Sequence, residues 1–224
     1  MKTKLLWLML LFGLYSTRGW GQTSSSEHGD PMRELHATMA GLDASRIPTG
    51  VLLDRMMFIT NPHRFTGQGD TTTDYNGFEQ QYWEFYHAAL DSSQLPTLDA
   101  LRARIDQRVT AGAVPLVMLS YQYNEIATTA AQDGLITIDS TNAQVTDGPD
   151  FSRSPYITGQ FFSVVIPPTV PSGTIAVYVG PEFWLGTTPP PSAVQIDFGD
   201  GQGVRSVAMG STVQVAQVNA AGTG

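Results

Sequence analysis

Residues 1–21 read as a secretory signal and no residue of the chain is cysteine, so the fold has to mature outside the cytoplasm and hold itself by burial alone. Lys2 and Lys4 form the positive end of the leader and residues 5–15 its apolar stretch. Gly19 and Gly21 put small residues at −3 and −1, which places the expected cleavage between Gly21 and Gln22. That apolar stretch falls short of the about 20 residues that span a bilayer. Removing 21 residues from 224 leaves 203, room for one large domain or two small ones at about 100–200 residues each. No second long apolar run follows, so no transmembrane segment is expected in the mature chain.

The absence of cysteine excludes thiol catalysis and zinc–thiolate sites. Both lysines lie in the leader, which excludes a Schiff-base lysine or a phosphate-loop lysine from the mature protein. Losing Lys2, Lys4 and Arg18 takes the formal charge from −8 to −11. A surface this acidic repels phosphate backbones, so nucleic acid is not an expected partner. Charged residues make up only 14% of the chain, against about 25% in ordinary soluble domains. Small polar residues, Gly and Pro fill the difference, a composition that fits a β-rich module of an exported bacterial protein.

Residues 22–29 are polar and without periodicity, an expected disordered lead. Residues 30–113 read as mainly helical. Asp30 and Pro31 can cap and open a helix carrying Met32, Leu35, His36 and Met39 as far as Gly41. Apolar residues recur within 50–60, where pattern alone leaves helix and strand both open. Residues 61–76 read as a long loop. A helix over 78–90 shows Phe78, Tyr82, Phe85, Ala89 and Leu90 on one face, with Glu79, Gln80 and Glu84 elsewhere. A second, over 97–111, has Thr97 as N-cap, the stripe Leu98, Leu101, Ile105 and Val109, and Gly112 as its stop. From 114 the pattern turns to strands, at 114–123, 135–139, 161–166, 174–179, 194–198, 204–208 and 212–218. The expectation is α+β: a short N-terminal helical region, a β-rich region over 114–188, and a further β segment over 189–224. The strands would form an antiparallel sandwich whose last strand is missing beyond Gly224.

The run Val194 to Gly203 contains Asp197-Phe198-Gly199-Asp200-Gly201 between two strand patterns. Across about residues 190–218 it resembles the PKD-type immunoglobulin-like domain, whose signature is this Asp-Phe-Gly-Asp-Gly turn. Ile196 stands where the family has an aromatic residue, and Ser211 to Gln214 replace its His-x-Tyr strand. An ordinary Asp-Gly hairpin gives the same local pattern. The resemblance implies a spacer or binding module that carries no reaction.

Asp197 and Asp200 are candidate calcium ligands, being oxygen donors close together on one loop, although the fuller acidic set of an EF-hand loop is missing and a structural turn is the plainer explanation. Glu84 and His87 have the Glu-x-x-His spacing of di-iron bundles, but no second copy occurs. The alternative is a solvated glutamate beside a surface histidine. His36, His63 and His28 form no metal-ligand motif, no Gly-x-Ser-x-Gly elbow exists, and no residue is assigned a catalytic role. Among many aromatics, Trp83 lies off the apolar stripe of its helix and Trp184 follows a Pro-Glu turn. Those two are the candidate binding aromatics, for an extracellular protein or a glycan. Three functional classes remain: a non-catalytic adhesion, spacer or binding module; an accessory region of a secreted hydrolase acting on glycans or esters; and a periplasmic carrier.

Overall fold

The computed structural model describes residues 31–60, 62, 64–66, 73–168 and 173–216. The leader, the lead over 22–29, the Asp30 cap and half of the expected 61–76 loop lie outside the described residues, as does the chain from residue 217 onward; Tyr75 and Asn76, expected in that loop, belong to a helix. The fold is mixed α+β, mostly β, with three α-helices and several small sheets among the described residues. It resolves into two compact units, each gathered from separate stretches of sequence. No helix of the described residues is long and apolar enough to cross a membrane.

The first unit takes the described residues up to Met57, with His87–Leu90 and Asn124–Thr158. Its helix α1 (Pro31–Thr38) ends before Gly41 and buries Met32. The stretch left open over 50–60 is neither a full strand nor an α-helix. Val51 bridges Ala89, Leu52 bridges Asn124, and Leu53–Arg55 form one 3-10 turn. Leu52 and Leu53 are buried, so the apolar run reflects packing rather than a regular element.

Asn124 ties that stretch down from inside. Only 2% exposed, it accepts from the Thr49 hydroxyl at 2.8 Å and the Thr49 N–H at 3.3 Å, and donates to the Thr158 hydroxyl at 3.1 Å. Nearby, Leu42, Ile47, Leu52, Leu135, Ile136 and Val145 form an apolar cluster around Ala130. Two short antiparallel strands, Ile136–Asp139 and Gln144–Asp147, close it. The second of these was not among the expected strands, because Gln144 to Asp147 has too few apolar residues to alternate visibly. The Asp147 carboxylate pairs with Arg46 and accepts from the Asp43 N–H, while Arg46 also donates to the Arg153 carbonyl at 2.7 Å.

The second unit takes Phe58–Tyr86, Asp91–Tyr123 and the described residues from Gly159. Helix α2 spans Tyr75–Ala88 and α3 spans Leu98–Thr110. As the sequence suggests, Thr97 caps α3 by accepting from the Ala100 N–H at 3.2 Å, and Gly112 ends it with φ 90°. Strand β1 (Val114–Pro115) breaks at Leu116 before β2 (Val117–Ile126), which is followed by β3 (Ile136–Asp139) and β4 (Gln144–Asp147) of the first unit. Then come β5 (Tyr156–Val165), β6 (Thr174–Val179), β7 (Trp184–Gly186), β8 (Ala193–Asp197), β9 (Val204–Ala208) and β10 (Ser211–Ala216). Residues 117–121 of β2 are buried without alternation, as a strand covered on both faces requires.

The sheets are ordered β1-β6-β10, β5-β2-β7 and β8-β9. The antiparallel expectation holds for β6 with β10 and β8 with β9, but β1–β6 and β2–β7 run parallel. Both parallel pairings use a strand of two or three residues at a sheet edge, and the run over 174–186 returns beside segments far earlier in the chain. Pro115 is tolerated because β1 has a neighbour on one side only. Gly186 is required where β7 meets β2: a Cβ there would fall 2.1 Å from the Ser120 carbonyl oxygen, and its φ is 131°. A packed cluster of Leu116, Met118, Val177, Val179, Val207 and Val215 lies among these strands, with Ile196 and Phe198 half-buried against it. The irregular residue Phe65 donates its N–H to the Gln160 carbonyl on β5 at 2.7 Å.

Replacing Asn124 by Leu would remove the acceptor of the Thr49 amide and hydroxyl and the donor to the Thr158 hydroxyl, leaving the Thr49 hydroxyl only its bonds with Val51. We expect a loss of about 1–3 kcal/mol of stability, read as a lower urea midpoint, with Thr158→Val costing less.

Candidate binding groove

Helix α2 divides its residues by period. Phe78, Tyr82 and Phe85 are fully buried, with the Phe85 ring stacked on Tyr121 at 4.6 Å and on Phe161 at 4.7 Å. Asn76, Glu79, Gln80 and Trp83 follow one another at spacings of three, one and three and therefore share another face. Asp74 starts the helix by accepting from the Gly77 N–H at 2.7 Å. Leu98 and Arg102, one turn apart on α3, and Ile59 complete the wall of an open groove of about 280 Å³.

Its electrostatic centre is the pair Glu79–Arg102. Arg102 donates from Nε at 2.8 Å and from Nη2 at 2.7 Å to the two carboxylate oxygens, a planar two-bond contact. The Arg102 bond holds the Glu79 carboxyl below the usual carboxylate range, and the same contact raises Arg102 above the ordinary guanidinium value. Burial, with the Glu79 charge beside it, pushes the Tyr75 phenol up to about 12. Arg102 also reaches Asp99 at 3.5 Å, so its charge is opposed from two sides.

Glu84 corrects the sequence expectation. It is neither solvated nor set in a metal cluster; its exposure is 0%. Its carboxylate accepts from the Ile59 N–H, from the Thr60 N–H at 3.0 Å and from the Thr60 hydroxyl. An irregular segment whose amides find no strand needs such an acceptor, and only the fold reveals that need. His87 belongs to the first unit, where its ring lies 6.1 Å from that of His36. His28 and His63 lie outside the described residues. Among the described residues no group of three or more His, Asp and Glu is placed to hold a metal.

The two candidate aromatics have different surroundings. Trp83 lines the groove. Trp184, on β7, is half-buried against the apolar cluster and 5.9 Å from the Phe162 ring, and its indole N–H donates to the Thr188 carbonyl at 2.9 Å. The carboxylates of Asp197 and Asp200 serve their own turn. Asp197 accepts from the Gly199 N–H at 2.9 Å; Asp200 accepts from the Gln202 N–H at 3.1 Å and pairs with Arg205 at 2.6 Å. Gly199, Gly201 and Gly203 all adopt positive φ there, so the reversal is carried by three glycines and not by Asp200-Gly201 alone.

Sequence reasoning reached Trp83 through its position off the apolar stripe, but missed Arg102 and Ile59. The Glu79–Arg102 pair spans 23 positions between two helices, and no local spacing signals it. Compared with protein-family models, with curated proteins and with solved structures, the chain shows no match.

Two outcomes follow from these carboxylates. Glu84→Gln would turn a donor toward the Ile59 or Thr60 group, costing about 1.5–3 kcal/mol in a denaturant melt and speeding amide exchange at residues 59 and 60. For Glu79, a depressed folded pKa means stabilisation that is full above the unfolded value of about 4.3 and fades as pH falls through the folded one. Glu79→Gln should therefore flatten part of the acid limb below about pH 4, by less than about 1 kcal/mol because Arg102 is 48% exposed.

Proposed function

We propose that the chain is an exported bacterial surface or secreted protein acting as a non-catalytic adhesion, spacer or binding module. The observation that carries this reading is the make-up of the groove: its wall contains a single carboxylate, Glu79, and Arg102 occupies both of its oxygens. Acid–base cleavage of a glycoside uses two carboxyl groups, one of them protonated near neutral pH. A carboxyl held ionised by a guanidinium suits recognition better than proton donation.

The leader over residues 1–21 supports export. The β8–β9 hairpin, with its Asp-Phe-Gly-Asp-Gly turn, supports a PKD-like segment within a sandwich-type arrangement, and a spacer role follows from that resemblance. The module is proposed to act on an extracellular protein or glycan and without a cofactor. The turn carboxylates of Asp197 and Asp200 are already met by backbone amides and Arg205.

Expression of the full chain in a bacterial host tests the proposal. Intact mass of the exported product should begin at Gln22, and chromogenic glycosides and esters should be turned over no faster than in buffer. Retention of Met1 in the cytosolic fraction, or a turnover abolished by Glu79→Gln, would overturn it.

A further inference from the structure

Resting on the binding-module reading, we infer that the α2–α3 groove takes a neutral hexopyranose unit of a glycan, with Trp83 as its platform. The size comes first. About 280 Å³ falls just below the sites of drug-sized ligands, which run from about 300 to 1,000 Å³, and matches one sugar ring better than a peptide strand or a folded partner.

The chemistry of the wall is the second argument. A pyranose has an apolar C–H face and a rim of hydroxyls, each of which donates and accepts. The groove offers the same two characters side by side. Trp83 and Leu98 supply apolar surface, while Asn76 and Gln80 supply amides that both donate and accept. Glu79 and Arg102 add a carboxylate and a guanidinium fixed in one plane by two bonds. A carboxylate has about four acceptor positions and a guanidinium five donors, so their mutual bonds leave both kinds of site for vicinal hydroxyls. Because the pair is assembled before any ligand arrives, little ordering accompanies binding.

Charge selects among sugars. Glu79 cancels Arg102 and Asp99 adds a negative group beside it, within a mature chain of formal charge −11 once Lys2, Lys4 and Arg18 are removed from the −8 total. A sialylated or sulfated sugar would meet no unopposed cation in this wall. A neutral one loses nothing.

The exported product carries two tryptophans, Trp83 and Trp184, because Trp7 and Trp20 leave with the leader. In a Trp184→Phe background, Trp83 emission therefore reports on the groove alone. Titration with mannose-, galactose- and N-acetylglucosamine-terminated oligosaccharides should give a saturable shift with at least one of them below about 10 mM. By calorimetry on the parent protein, Trp83→Ala should abolish that binding, and Asn76→Ala or Gln80→Ala should weaken it about tenfold, with unchanged circular dichroism. No saturable response to any neutral sugar by the folded protein overturns the inference. So does binding confined to sialylated or sulfated sugars, or binding that survives Trp83→Ala. An N-terminus at Gln22 alongside a failed titration removes only the ligand class; retained Met1 removes the export reading whatever the titration shows.

Discussion

A carboxylate with no exposure organises the helical side of the second unit. Glu84 accepts from the amides of Ile59 and Thr60 and from the Thr60 hydroxyl, which fixes an irregular segment against α2. A buried anion of this kind is tolerable only when its lone pairs are met, and here three donors meet them. The consequence is positional. Ile59, 60% exposed, is held at the groove wall by its own backbone rather than by side-chain burial. Trp83, the residue directly before Glu84, lines the same groove, so the position of its wall depends on a group outside its lining.

The helix thus carries three separate tasks on three directions of its surface. Phe78, Tyr82 and Phe85 enter the aromatic core, Glu84 anchors the neighbouring segment, and Asn76, Glu79, Gln80 and Trp83 line the groove. This division explains why substitution at Glu84 and substitution at Glu79 have different characters. The first removes an acceptor from buried donors; the second loosens a half-exposed pair whose partner water can solvate.

How much of this the sequence discloses depends on how local each determinant is. The Thr97 cap, the Gly112 stop and the Phe78–Tyr82–Phe85 stripe are set within one or two turns of chain, and all were legible. The β8 and β9 strands and their glycine turn were legible for the same reason. Strand β7 and the parallel pairings of β1 and β7 were not, since each depends on a segment over sixty residues away in the chain. Glu84 was misjudged because helical period says which side a residue occupies, not whether unmet amides wait there. In the groove, Trp83 could be picked out from period alone, whereas Arg102 becomes relevant only once α3 lies beside α2.

The single bond from the Phe65 N–H to the Gln160 carbonyl bears on how such a chain behaves in a crowded medium. Strand β5 is the outer member of its sheet, and an outer strand is where a stray extended chain would dock and begin a fibre. By placing the Phe65 N–H against that margin, the protein occupies one of its docking points with its own backbone. In a polypeptide without a single cysteine, this is protection against self-assembly supplied by topology.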